Sequence, residues 1–166
     1  MPTKILVIDD DPLVSKTVKN LLSRQGYETD IANSALEAVS LAAVKEFDLV
    51  ISDVRMPGEN GIVAIEKIKK IYSEKQVHCG FMIITGYAEE DTPAHAIRLG
   101  VNKFLFKPFD TQKFLESINE ELGLVQQEKK LKTGKSTAPT VFIRKDKDRI
   151  PRRRAVITGI GCISPN

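Results

Sequence analysis

Two cysteines, two histidines and the lack of any long apolar run set the first bounds on this sequence. Cys79 and Cys162 lie far apart and match neither a metal-binding nor a redox spacing. A disulfide framework and a thiolate metal centre are thereby disfavoured, and two reduced thiols are expected. His78 and His95 are isolated and draw no role. No segment approaches the roughly 20 apolar residues of a membrane span. Met1-Pro2-Thr3-Lys4 leads straight into an apolar segment, without the features of a secretory leader. A cytoplasmic location with no membrane partner is the expectation.

What is present suits a folded domain with a remainder. The chain has 166 residues, 42% of them apolar, enough to support one packed core. Charge is unevenly placed. Residues 1–124 carry 14 Lys+Arg against 19 Asp+Glu, a balance of −5, and residues 125–166 carry 11 against 3, a balance of +8. The net +3 therefore hides an acidic domain and a basic tail. A basic tail suits nucleic acid or a membrane surface, but no aromatics interleave these charges, and a solvated linker is the plainer reading.

Five strand-like segments alternate with five helical ones. Ile5-Leu6-Val7-Ile8 is apolar on both faces, as a central parallel strand must be, and runs into Asp9-Asp10-Asp11. Pro12 suits a first helical turn, Val14, Val18, Leu21 and Leu22 recur at helical spacing, and Gly26 suits the helix end. Tyr27 to Ala32 alternates like a half-exposed edge strand. Ser34 with Glu37 makes a capping box for a helix running to about Lys45, with Leu36, Val39 and Ala43 expected inward. Asp48 to Asp53 is the third strand, followed by a helix from about Asn60 to Tyr72 that carries Ile65, Ile68 and Tyr72 on one face. Phe81 to Ile84 is the fourth strand, ending at Thr85. A weaker helix begins at Thr92-Pro93 and closes at Gly100. Phe104-Leu105-Phe106 is the fifth strand, ending in Lys107-Pro108-Phe109. Asp110 caps a last helix with Leu115, Ile118 and Leu122 on its core face. Strict alternation predicts an α/β fold, a parallel sheet with helices on both faces.

In such a sheet all strands end on one edge, where ligands bind. That edge collects Asp9, Asp10, Asp53, Thr85 and Lys107. Clustered carboxylates need a cation. Mg²⁺ takes one or two carboxylates together with water and a phosphate oxygen. Lys107 can reach an anionic group on Asp53, and Thr85 offers a hydroxyl. Acid, metal, cation and hydroxyl form a kit for phosphoryl transfer, where positioning and charge neutralisation do most of the work. The rival reading is an internal salt-bridge network that caps the sheet.

The acidic run after the first strand, Asp53-x-x-Met56-Pro57-x-x-x-Gly61, Thr85 ending the fourth strand and Lys107-Pro108-Phe109 ending the fifth together resemble the receiver domains of two-component response regulators. The resemblance covers about residues 3–124. It implies a doubly wound, flavodoxin-like, five-stranded sheet of order 2-1-3-4-5. It implies Asp53 as phosphoacceptor from a sensor histidine kinase or histidine phosphotransfer protein, with Mg²⁺ as cofactor. Asp10, Asp53 and the Arg55 backbone carbonyl would bind the ion directly, and Asp9 would act through water. Asp11 would not be a ligand. Lys107 and Thr85 would hold the phosphoryl oxygens, and Phe104 would be the aromatic switch that turns inward as Thr85 moves. Gly86 follows Thr85 where a small residue is expected, and Tyr87 is a large flanking neighbour. A regulatory domain rather than an enzyme is implied, with a homodimer through the fourth helix, fifth strand and fifth helix as a further expectation.

The tail is expected to lie outside that domain, with residues 1–124 the receiver, 125–150 a basic linker and 151–166 the start of a second domain. Arg152 to Asn166 resembles the opening strand of a β-ketoacyl synthase, which would make this chain a piece of a longer protein; Cys162 does not match that family's nucleophile. Gly159-x-Gly161 lacks a following helix and is weak as a dinucleotide loop. No helix-turn-helix output, and hence no DNA-binding domain, is legible. Two rivals remain. A haloacid-dehalogenase-type phosphatase also uses a strand-end Asp and Mg²⁺, but carries a second Asp two residues on, where this chain has Arg55. A binding module without phosphorylation would show a broken site, and this one is intact.

Overall fold

Strand and helix alternate throughout the computed structural model, which describes residues 2–58, 60–86, 91–101 and 103–132. In chain order the elements are β1 (Lys4–Ile8), α1 (Pro12–Arg24), β2 (Glu28–Ala32), α2 (Ala35–Val44), β3 (Leu49–Ser52), α3 (Gly61–Glu74), β4 (Gly80–Thr85), α4 (Asp91–Arg98), β5 (Lys103–Phe106) and α5 (Thr111–Lys132). The strands form one sheet, parallel throughout, in the order β2-β1-β3-β4-β5. This is the expected doubly wound, flavodoxin-like arrangement. Tyr87 and the stretch 133–166, which holds Cys162 and the condensing-enzyme-like segment, lie outside the described residues.

Side chains of a strand alternate between faces, so a sheet covered on both sides needs apolar residues at nearly every position. Leu6, Ile8, Val50 and Ile83 pack with Ala38 and Ala42 of α2 and Ile65 and Ile68 of α3. Ile5, Val7, Leu49, Ile51, Met82 and Ile84 pack on the other face with Val18 and Leu22 of α1 and Phe114 and Ile118 of α5. Local chemistry starts the helices. The Asp11 carboxylate accepts from the Leu13 and Val14 amides at 2.8 and 3.3 Å, Asn60 from Ile62 at 2.8 Å, and Asp110 from Gln112 and Lys113 at 2.8 and 3.1 Å. Each cap satisfies donors that have no partner inside the helix.

Several expectations need correction. The inward stripe of α2 is Ala35, Ala38 and Ala42, while Leu36 is 75% exposed and Ala43 is also exposed. Small residues let α2 lie close to the sheet and to α3, and the larger Leu36 is turned out. The Ser34 hydroxyl caps Glu37 at 3.2 Å as expected, but the Glu37 carboxylate returns to the Asn33 amide, at 2.8 Å, rather than to Ser34. β2 is an edge strand without clean alternation, since Thr29 and Ala32, on opposite faces, are both buried. The cap residue of α1 is Gln25, with Gly26 following at φ +83°. Phe114, not Leu115, anchors the start of α5, and Leu115 is half-buried.

The largest difference is the length of α5. It does not stop near Leu124 but runs to Lys132. Val125 is buried, and Lys129 pairs with Asp48 at 2.7 Å. The first eight residues of the stretch read as a linker are thus a continuation of the domain.

Candidate functional site

Strand register builds the site. Ile8 aligns with Ser52, Ser52 with Ile83, and Thr85 with Phe106. Asp9, Asp53, Thr85 and Lys107 therefore come to the same carboxyl edge of the sheet. Asp53 follows directly on β3, and its amide donates to the Ile8 carbonyl at 2.8 Å. Its Oδ1 accepts from the Arg55 amide at 3.1 Å. Its Oδ2 accepts from Lys107 Nζ at 2.6 Å, and the same ammonium donates to Asp9 Oδ2 at 2.8 Å.

Lys107 thus bridges two carboxylates of which little reaches solvent; the Asp9 and Asp53 side chains are 6% and 12% exposed. Burial of the Lys107 ammonium favours its neutral form, but its hydrogen bonds to Asp53 and Asp9 outweigh this and raise its pKa above the usual lysine value. Lys107 is a full cation at neutral pH. Its amide donates to the Thr85 carbonyl at 2.9 Å, joining the ends of β4 and β5, and Thr85 is buried there. The Lys107–Pro108 peptide bond is cis.

Of the remaining expected residues, Asp10 sits beside Asp9 with an exposed side chain. Asp11 is the cap of α1, its carboxylate accepting from the Leu13 and Val14 amides. Arg55 is exposed, in the loop whose residues Val54 to Gly58 line a groove of about 460 Å³. Phe104 is half-buried against the core on the α2–α3 face.

Among the described residues, no three His, Cys, Asp or Glu side chains gather into a cage that would hold a metal by themselves. A cage is not what Mg²⁺ needs. Asp53 and the exposed Asp10 can supply hard oxygen donors, with Asp9 beside them, and water and a phosphate oxygen complete such a shell. The donor set therefore fits Mg²⁺.

Composition and spacing do not single out Ser52, and show Gly61 only as loop punctuation. The structure gives both a position against the phosphoacceptor candidate. The Ser52 hydroxyl donates to the Asp53 carbonyl at 2.8 Å. A Cβ on Gly61 would stand 1.8 Å from that same carbonyl oxygen. Only glycine can come so close.

An all-parallel α/β sheet whose carboxyl edge holds a buried and a half-buried acid bridged by a lysine marks the class of the protein. Residues 5–119 match the response regulator receiver domain, and the chain belongs to that family. Over 129 residues it is 30% identical to regulatory protein AtoC of Escherichia coli (strain K12), which covers 78% of this chain and 27% of that protein. Over 122 residues it is 34% identical to chemotaxis protein CheY of Treponema pallidum (strain Nichols), covering 70% of this chain and 81% of that one. The solved response regulator receiver domain protein (CheY-like) from Methanospirillum hungatei JF-1 superposes with a TM-score of 0.71 at 26% identity, covering 77% of this chain and 99% of that one. The chain spans about a quarter of the length of AtoC. It is a receiver domain homologous to CheY and to larger response regulators. Among the described residues, no helix is long and apolar enough to cross a membrane.

Proposed function

We propose that Asp53 is the phosphoacceptor of a phosphorylation-switched receiver. The observation that carries the reading is the Lys107 ammonium shared between Asp53 and Asp9, at 2.6 and 2.8 Å. A carboxylate oxygen of Asp53 attacks the phosphorus of a phosphohistidine on a sensor kinase or phosphotransfer protein. The P–N bond breaks and its electron pair returns to the imidazole. Lys107 then pairs with the new phosphoryl group, which carries more charge than the carboxylate it replaces. Asp10, Asp53 and the Arg55 carbonyl would hold Mg²⁺, with Asp9 acting through water, and the bound ion would supply charge neutralisation. Thr85 moves toward the phosphoryl group and Phe104 turns inward behind it. The domain regulates an output and turns over no substrate of its own, in the cytoplasm. Ile97 and Phe106, 57% and 49% exposed, support a homodimer through α4, β5 and α5. The sequence resemblance of Arg152 to Asn166 supports a condensing-enzyme-like domain beginning near residue 151.

The test is phosphate uptake from acetyl phosphate or phosphoramidate, read by intact mass. Wild type should gain one phosphate with Mg²⁺, and neither Asp53→Asn nor wild type in excess EDTA should gain any. Equal labelling of the variant would overturn the assignment. Turnover of p-nitrophenyl phosphate would instead favour the phosphatase reading.

A further inference from the structure

We infer that Ser52 is a positioning residue for Asp53: its hydroxyl, with Gly61 packed against the same carbonyl, holds the Asp53–Val54 peptide and so aims the carboxylate. The inference rests on the reading of Asp53 as phosphoacceptor. Ser52 closes the strand Leu49-Val50-Ile51-Ser52 and is wholly buried. A buried hydroxyl is costly unless it is hydrogen-bonded, and an alanine would satisfy a merely apolar position. Here the hydroxyl spends its proton on the carbonyl of the next residue, at 2.8 Å.

The bond matters because of what else is fixed at Asp53. The direction of a side chain leaving Cα follows from the two peptide planes that flank it. The plane before Asp53 is tied to β1, its amide donating to Ile8 at 2.8 Å. The plane after it is tied by Ser52. The Gly61 amide donates to the Val54 carbonyl at 2.9 Å, drawing the start of α3 against the same turn. A Cβ on Gly61 would fall 1.8 Å from the Asp53 oxygen and 2.4 Å from the Ser52 hydroxyl. The carbonyl thus meets the Ser52 donor and, beside it, a backbone that leaves no room for a side chain. With both planes set, the Arg55 amide takes Oδ1 and Lys107 takes Oδ2. Removing the hydroxyl frees the second plane to rotate, and the carboxylate loses alignment with Lys107 and an incoming phosphorus.

The experiment measures phosphate uptake from phosphoramidate with Mg²⁺ on the full chain, as a function of donor concentration. Ser52→Ala should lower the saturating rate roughly tenfold, the scale of one lost hydrogen bond. The half-saturating donor concentration should stay at the wild-type value, because Ser52 is buried away from the donor. Ser52→Thr, which keeps the hydroxyl, should recover most of the rate. Should Ser52→Ala fail to fold, Ser52→Thr is compared with Ser52→Cys, whose thiol is a weak donor, and the Thr variant should be the faster. Wild-type rates for Ser52→Ala, or for the cysteine variant in that second comparison, would overturn the inference. Absence of uptake by wild type would instead remove the phosphoacceptor reading on which it stands.

Discussion

At Lys107 two opposed effects meet: burial disfavours its charge, and two carboxylates demand it. The carboxylates win, since its pKa is raised. Removing the ammonium leaves Asp9 and Asp53 facing each other without a cation, both largely buried. Lys107→Ala should therefore lose roughly 1–3 kcal/mol of stability at neutral pH, less than for a wholly buried pair because water can enter. Mg²⁺ should restore more stability to this variant than to wild type in thermal melts, since the ion can replace the lost charge. The variant should still take up phosphate, because Lys107 acts mainly on the group once attached, but beryllium fluoride should no longer shift the NMR signals around Phe104. Equal shifts in variant and wild type would show that Lys107 is not the link. Gly61 makes the opposite kind of test. Gly61→Ala drives a methyl group into the Asp53 backbone, where nothing flexible can yield. A loss of at least about 2 kcal/mol is expected in urea unfolding, together with slower phosphate uptake, and a variant as stable as wild type would contradict the geometry.

The elements show which signals a sequence carries and which it does not. Strand ends were legible because a parallel sheet gathers them on one edge whatever the helices do, so Asp9, Asp53, Thr85 and Lys107 could be brought together from order alone. The facing of α2 was not. Its residues are apolar around much of the helix, and spacing alone does not choose between the stripe with Leu36 and the stripe of alanines; the closeness of α2 to α3 and the sheet decides it. Ser52 was illegible for another reason: a serine at a strand end is ordinary, and only its burial and bond mark it. The end of α5 was hidden by composition, since the polar, basic stretch from residue 125 reads as a linker. Gly123 lies inside the helix, and a Cβ there meets nothing within 4 Å. Glycine therefore lowers helix stability with no steric return. Gly123→Ala should stabilise the domain by about 0.5–1 kcal/mol, read from the urea midpoint; a loss would mean that the helix must bend there.

Taken as a whole, the molecule is closed at both edges of its sheet by charge, and the two closures serve different ends. At the carboxyl edge the Lys107 cation is shared between Asp9 and Asp53. At the opposite edge Asp48 accepts from the Lys4 amide at 2.9 Å and from Lys129 Nζ at 2.7 Å, tying β1, β3 and the last turns of α5. Burial would raise the Asp48 pKa, but Lys129 and Lys4 outweigh it and hold it below the usual carboxylate range. A depressed acid adds stability that is present above its unfolded value, near pH 4, and lost as pH falls through the folded one. Asp48→Asn should therefore be less stable than wild type at pH 7, by no more than about 1 kcal/mol for a pair this accessible to water. The difference should fade as pH falls below the unfolded value and through the depressed folded one. The same edge decides where the domain can be cut. A chain ending at Lys132 keeps both core layers and this tie, whereas one ending at Leu124 gives up the buried Val125 and Lys129. Burying a valine contributes about 1.5–3 kcal/mol, and the exposed part of the ion pair adds little. The shorter chain should unfold in urea about 2 kcal/mol earlier than the longer, with the same phosphate uptake per folded molecule, because nothing removed touches Asp53. Equal urea midpoints would show residues 125–132 to be a passive extension, and the expected boundary at Leu124 would stand.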